Sequence, residues 1–135
     1  MEDPKPGRRY RASADEWTNI RLKFRGQKCW GCGNKKWVDL HHVYPRGQGG
    51  DDATNNLVPL CRECHTKVEL RIPETRARIR LQLTPAHHSY LVFKLGEAAE
   101  AWLDRHYAFT RCRLCGEPSK GAYCHAHEWA YGGMT

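Results

Sequence analysis

Two Cys-x-x-Cys pairs, Cys29-Trp30-Gly31-Cys32 and Cys61-Arg62-Glu63-Cys64, constrain this chain more than any other feature. A two-residue spacer lets one turn present two thiolates to a single ion, and tetrahedral zinc takes four such ligands at about 2.3 Å. One zinc shared by both pairs would hold together the two ends of residues 33–60, so the chain between them has to double back. Free buried cysteines or a redox pair are the competing explanations. Redox Cys-x-x-Cys motifs come singly at the start of a helix, which does not fit a matched set.

A chain of 135 residues with 40% hydrophobic residues is one domain with a thin core, and such a domain needs a cross-link or a metal. The compartment decides which. No run approaches the 18 or so apolar residues of a membrane span, and the start, MEDPKPGRRYRASADE, lacks the apolar stretch of a secretory signal. The expected location is therefore a cytoplasm, where disulfides are disfavoured and paired thiols are better used on zinc.

The chain between the pairs reads as a hairpin. Trp37 to Val43 is rich in strand formers and stops at Pro45; Gly47, Gly49, Gly50, Asp51 and Asp52 make a wide turn; Leu57 to Leu60 is a second short strand. Past Cys61 the period turns helical through His65, Val68, Glu69 and Ile72 until Pro73. Upstream, residues 1–12 read as a mobile basic arm, and Ser13 with Glu16 forms a capping box for a helix carrying Trp17, Ile20, Leu22 and Phe24, which Gly26 ends. Downstream, helices are expected over about 74–83, 86–95 and 97–108, with Ile79, Leu83, Leu91, Leu95, Trp102 and Leu103 as packing residues.

Inside this frame lie CWGC, LHHVYPRGQGG, Asn56-Leu57-Val58 and CRECH ending in His65. In that order these motifs resemble the HNH endonuclease family, and the resemblance covers about 40 residues, Cys29 to Glu69. It implies an α+β fold: a small zinc-stabilised ββα-metal core with flanking helices. It further implies that His42 is the general base, that His41 and His65 bind a catalytic divalent ion, and that Asn56 holds the loop and orients His42 through its side-chain amide. Imidazole suits the base because its ordinary pKa lies near neutrality. Glu69 departs from the many family members that have a histidine there; at i, i+4 from His65 it shares a helix face and offers oxygen, which favours Mg²⁺ or Mn²⁺, with Zn²⁺ and Ni²⁺ as alternatives. In a regular strand, however, His41 and His42 point to opposite faces, so the strand has to end or bend there if both are to address one phosphate. Pro45 and the glycines supply that exit, and the turn is expected to leave room for the phosphate.

The formal net charge is +7, and the first 80 residues, with 17 of the 22 Lys+Arg and 10 of the 15 Asp+Glu, carry the whole excess. A polyanion would meet this part of the chain. Arg46, Lys35, Lys36, Arg62 and Lys67 are the candidate DNA contacts, with Arg71, Arg76, Arg78 and Arg80 continuing the track. His87, His88 and His106 have no acid, cysteine or glycine turn beside them and are expected on solvated helix faces.

A second knuckle follows, Cys112-x-x-Cys115 and Cys124-x-x-His127, with His125 as the competing fourth ligand; it accounts for all seven cysteines over two structural zinc sites. The organisation expected is thus an arm over 1–12, the HNH core over 13–72, a helical segment over 73–110 and a C-terminal zinc knuckle over 111–135. The function implied by the resemblance is metal-dependent hydrolysis of DNA, leaving 3′-hydroxyl and 5′-phosphate ends, as in tailed-phage enzymes linked to packaging proteins in a host cytoplasm. The alternatives are a non-catalytic double zinc-finger module, binding nucleic acid or protein, and a ribonuclease.

Overall fold

The hairpin is built from β1, Val38–His42, and β2, Leu57–Cys61, paired antiparallel with His42 opposite Leu57 and Val38 opposite Cys61. This computed structural model describes residues 10–34, 37–111 and 118–119. The ligands expected at Cys112, Cys115, Cys124, His125 and His127, the candidate contacts Lys35 and Lys36, and residues 1–9 of the arm lie outside the described residues.

Every residue of β2 is buried, whereas β1 is mostly half-buried. The edge of β2 away from β1 is covered locally by the first knuckle, where the Trp30 amide donates to the Pro59 carbonyl at 3.0 Å. Pro59 itself has no amide to offer, so its position is tolerable only in so small a sheet. Cys61 caps α2, Arg62–Glu69, so the second cysteine pair straddles the strand end and the first helical turn.

Three more helices follow: α3, Pro73–Gln82; α4, Pro85–Leu95; and α5, Ala99–His106 after a 3-10 turn at Gly96–Ala98. Pro73 and Pro85 each stand in a first turn, where a missing amide costs nothing. Val58, Leu60, Val68, Ile79, Leu91, Trp102 and Leu103 form one buried cluster, with Leu83 and Leu95 packed against it, so hairpin and helices share a single core. Arg80, expected on a DNA track, is instead buried: it pairs with Glu100 at 3.0 Å and Asp104 at 3.2 Å, tying α3 to α5.

The first helix, α1, Ala14–Lys23, has the expected capping box, with reciprocal Ser13 and Glu16 bonds of 3.2 and 3.1 Å. Its apolar stripe reaches the core only at Phe24, just past the helix: no residue of α1 itself is buried and Leu22 is 55% exposed. Residues 10–12 of the expected arm are ordered by contacts to the hairpin. They form a strap pinned to the hairpin loop, because Asp51 and Asp52 accept from their backbone and from Arg11.

His87 also departs from expectation. It is buried, not solvated: its Nδ1 faces Thr84 Oγ1 at 2.7 Å within a capping box, and its Nε2 donates to the Leu57 carbonyl at 3.0 Å. A histidine thereby fills the position usually given to Glu or Gln. His88 is half-buried, 3.9 Å from Glu100. Among the described residues no helix is long and apolar enough to cross a membrane.

Candidate active site

Cys29, Cys32, Cys61 and Cys64 converge, all four sulfurs lying within 4.8 Å of one another, and only Cys32 is exposed. Four sulfurs about 2.3 Å from a tetrahedral ion are about 3.8 Å apart, and the Cys32–Cys61 separation is 3.9 Å. Backbone geometry supports this: a Cβ on Gly31 would stand 2.6 Å from Cys64 Sγ, so the knuckle closes only around glycine. Burial pushes the Cys29 thiol up, but the amides of Cys61, Cys32 and Gly31 outweigh it and bring its pKa down to about 7. The donor set fits zinc held as thiolates.

At the other end of the hairpin, His41, His65 and Glu69 form a second cluster, again with ligand atoms within 4.8 Å. His65 Nε2 lies 3.3 Å from Glu69 Oε1, and His41 Nδ1 lies 4.0 Å from the same oxygen. The remaining nitrogen of each ring meets oxygen elsewhere. His41 Nε2 contacts Tyr107 Oη at 2.6 Å, and the Tyr107 hydroxyl donates onward to the Val43 carbonyl at 3.3 Å, so Nε2 carries the proton. His65 Nδ1 stands 3.5 Å from Asp39 Oδ2. Both imidazoles therefore aim a lone pair at Glu69. His41 Nδ1 is the buried side-chain atom without a hydrogen-bond partner among the described residues. Burial, reinforced by the charges of His65, Arg76 and His42, holds His41 down to a pKa of about 3, so it is neutral and free to ligate. These features suit one divalent cation with an imidazole pair and a carboxylate.

His42 faces the opposite way, towards α1, where its ring stacks on Trp17 with centroids 6.0 Å apart and planes 5° apart. The side-chain bond expected from Asn56 does not exist. Asn56, fully buried, instead clamps the loop: its Oδ1 accepts from the Tyr44 amide at 2.8 Å, and its Nδ2 donates to the carbonyls of Tyr44 and Asp51. The partner of His42 is Asp52, whose Oδ1 lies 2.8 Å from Nε2. A carboxylate only accepts, so Nε2 carries the proton and Nδ1 keeps the lone pair. Burial alone would raise Asp52, but the bonds from His42 and the Ala12 amide and the charge of Arg46 outweigh it and hold it below its ordinary value. Burial lowers the pKa of His42, and Asp52 only partly offsets that.

Gly50 has a different use from the one expected of the turn, while Gly47 faces open space. A Cβ on Gly50 would come within 1.8 Å of the Tyr44 carbonyl, so this glycine lets the loop cross its own backbone rather than make room for a phosphate. That crossing carries Asp51 and Asp52 back to the strand end, where Tyr90 and Lys94 hold Asp51 from α4.

His41, His42, His65 and Glu69 all line one cleft of about 440 Å³, closed by Trp17, Trp102 and Tyr107. Of the candidate DNA contacts, Arg46 lines it, 3.4 Å from Asp52, whereas Arg62 and Lys67 are exposed on α2 away from it. Arg71 and Arg76 line it too. Arg76 is largely committed to structure, donating to the carbonyls of Val68 and His106, and Arg78 donates to Gly31. His106 is not a solvated bystander; it packs on Trp102 at 4.7 Å in the cleft wall. Sequence reasoning missed Asp52 and Tyr107. Asp52 carried a signal, an acid in the turn just past the paired histidines, while Tyr107 carried none, standing 66 residues from its partner His41.

The family model for HNH endonuclease matches residues 29–71, so the chain contains an HNH-type domain spanning both cysteine pairs, the hairpin and α2. No curated protein and no solved structure matches the chain.

Proposed function

We propose that this protein is a metal-dependent endonuclease that hydrolyses DNA phosphodiester bonds in the cleft at the end of β1. One observation carries the reading: adjacent residues offer two unlike imidazole nitrogens to the same cleft. His41 Nδ1 is buried, unpartnered and aimed at His65 and Glu69, while His42 is set against Asp52.

Hydrolysis needs a water made nucleophilic and charge compensation at the phosphate and leaving oxygen. His42 Nδ1 would accept the water proton, and Asp52 would hold the ring and stabilise the imidazolium that forms. Arg46 and Arg71 would draw the phosphate into the cleft. A divalent ion held by His41, His65 and Glu69 would supply the charge that the transferring phosphate and the leaving oxygen require. Cys29, Cys32, Cys61 and Cys64, holding a zinc ion, would clamp the two ends of the hairpin that carries these residues. We assign Asn56 a positioning role through the loop. The phage-type setting with packaging proteins rests on family resemblance, and the C-terminal zinc knuckle rests on ligand spacing.

The test is cleavage of supercoiled plasmid across a divalent-metal series by wild type and His42→Ala. General-base removal is expected to lower the rate about 10²–10⁴-fold while DNA binding persists. Unchanged cleavage by the variant would remove His42 from the mechanism. Absence of metal-dependent cleavage by the wild type would favour a non-catalytic zinc module, and preferential cleavage of structured RNA would favour a ribonuclease.

A further inference from the structure

A second groove, of about 530 Å³, runs between α1 and the start of β1. Its floor is apolar, with buried Phe24 and half-buried Val38 and Leu40, and its exposed rim carries Arg21, Leu22, Arg25 and Trp37. Among the described residues no carboxylate lines it. Trp37 is 82% exposed, the most open large apolar side chain described, and the Arg21 guanidinium lies over its ring at 6.0 Å.

The groove is continuous with the cleft. Val38, Leu40 and His42 alternate onto one side of β1, and Leu40 lines both cavities. Trp17, which stacks on His42, lies one helical turn before Arg21 on α1. A path of about 16 Å, five residues at roughly 3.3 Å each, thus leads from the reactive histidine to the exposed tryptophan. That is about five steps of a stacked DNA strand at roughly 3.4 Å per step.

We propose that this groove is a nucleic-acid subsite, in which Trp37 stacks on an unpaired base and Arg21 and Arg25 meet the backbone of the strand leaving the cleft. The inference rests on the nuclease reading above. An apolar floor with a cationic rim and an exposed indole fits a single strand, because every base has a π face and every linkage a negative charge. It fits an acidic partner protein less well, since the indole, the group most open to solvent, would then have no matching role.

Binding of a short fluorescein-labelled single-stranded oligonucleotide by the zinc-loaded chain, without added catalytic metal, tests this across a salt series. Trp37→Ala is expected to weaken binding about tenfold, the loss of one stacked base, and Trp37→Phe to recover most of it. Arg21→Ala is expected to reduce the slope of log K against log salt by about 0.7. Zinc content and melting curves check folding, and because Trp37 is exposed its truncation leaves the core intact. Unchanged affinity and slope in these variants would overturn the subsite, as would a wild-type dimer that Trp37→Ala dissociates. Plasmid cleavage separates the two readings: cleavage by the wild type with unchanged oligonucleotide affinity in Trp37→Ala sinks the groove alone. Weakened affinity in that variant with no cleavage by the wild type sinks the nuclease reading and leaves the groove a nucleic-acid site.

Discussion

Replacing Tyr107 by phenylalanine removes one oxygen from the core, and the structure says where the loss will register. In the wild type the Tyr107 oxygen accepts from His41 Nε2 at 2.6 Å, which leaves Nδ1 bare towards Glu69. Without that oxygen the imidazole proton is drawn to Nδ1, towards the Glu69 carboxylate, although at 4.0 Å the two make no hydrogen bond. Stability should therefore fall by the two hydrogen bonds of the Tyr107 hydroxyl, to His41 and to Val43, about 0.5–1.5 kcal/mol each. Metal binding, however, requires Nδ1 to be bare again and forces the proton back onto Nε2, now buried against a phenyl edge. A buried unsatisfied donor costs about 1–3 kcal/mol, and loss of a ligand's outer partner is typically worth 10–100-fold in affinity, or about 1.4–2.7 kcal/mol. The two routes agree. Calorimetric titration of Mn²⁺ into zinc-loaded wild type and Tyr107→Phe should show a 10–100-fold difference with a modest fall in melting temperature. Equal Mn²⁺ affinities would refute the tautomer argument, and with it the assignment of His41 as a ligand through Nδ1.

Three further outcomes follow from the same geometry. Asp52→Asn keeps the shape but loses the anion that raises the pKa of His42, already below its ordinary value; the base works unprotonated, so the acid limb of kcat/KM should move to still lower pH while the plateau drops about 10–100-fold. A pH–rate profile with an unchanged plateau would show that Asp52 does not orient the base. Gly31→Ala drives a Cβ into Cys64, and should cost about 1–3 kcal/mol of stability together with part of the bound zinc, measured by thermal melts and metal quantification; full zinc and an unchanged melt would contradict the knuckle geometry. Finally, His87 is neutral in the fold because burial lowers its pKa, while the unfolded chain takes up the proton near pH 6.5. Its contribution to stability is thus complete above about pH 6.5 and lost as the pH falls, and His87→Gln should reduce the loss seen by urea unfolding between about pH 7 and pH 5.

What the sequence disclosed is what short-range rules govern. The two cysteine pairs, the hairpin between them, the capping box at Ser13 and the prolines that open α3 and α4 are all local signals, and the structure bears out each element to within a residue or two. What it concealed depends on contacts between distant segments. Tyr107 reaches His41 only because α5 packs under the hairpin, and Arg80 turns from a candidate phosphate contact into an internal clasp because Glu100 and Asp104 fold against it. His87 was illegible for a different reason. A histidine in the capping-box position breaks the usual Glu or Gln pattern, and its other nitrogen finds a carbonyl 30 residues away.

The alternation of side chains along a strand, which argued against both histidines serving one reaction, turns out to be what lets them serve it differently. His41 goes inward, where α2 and α5 strip it of water, set its tautomer through Tyr107 and leave Nδ1 facing His65 and Glu69. His42 goes outward, where the looped-back Asp52 fixes the same tautomer with a carboxylate instead of a hydroxyl, and Nδ1 is again the bare nitrogen. A single cleft can hold both because β1 stops at His42 and the cavity wraps around the strand end. Two identical residues thereby acquire distinct chemistry, one suited to a cation and the other to a proton, from the pleat and from one outer oxygen each. On this reasoning exchange of the outer partners, not of the histidines, is the finer probe: Tyr107 should govern metal affinity without moving the pH limb, and Asp52 should move the pH limb without governing metal affinity.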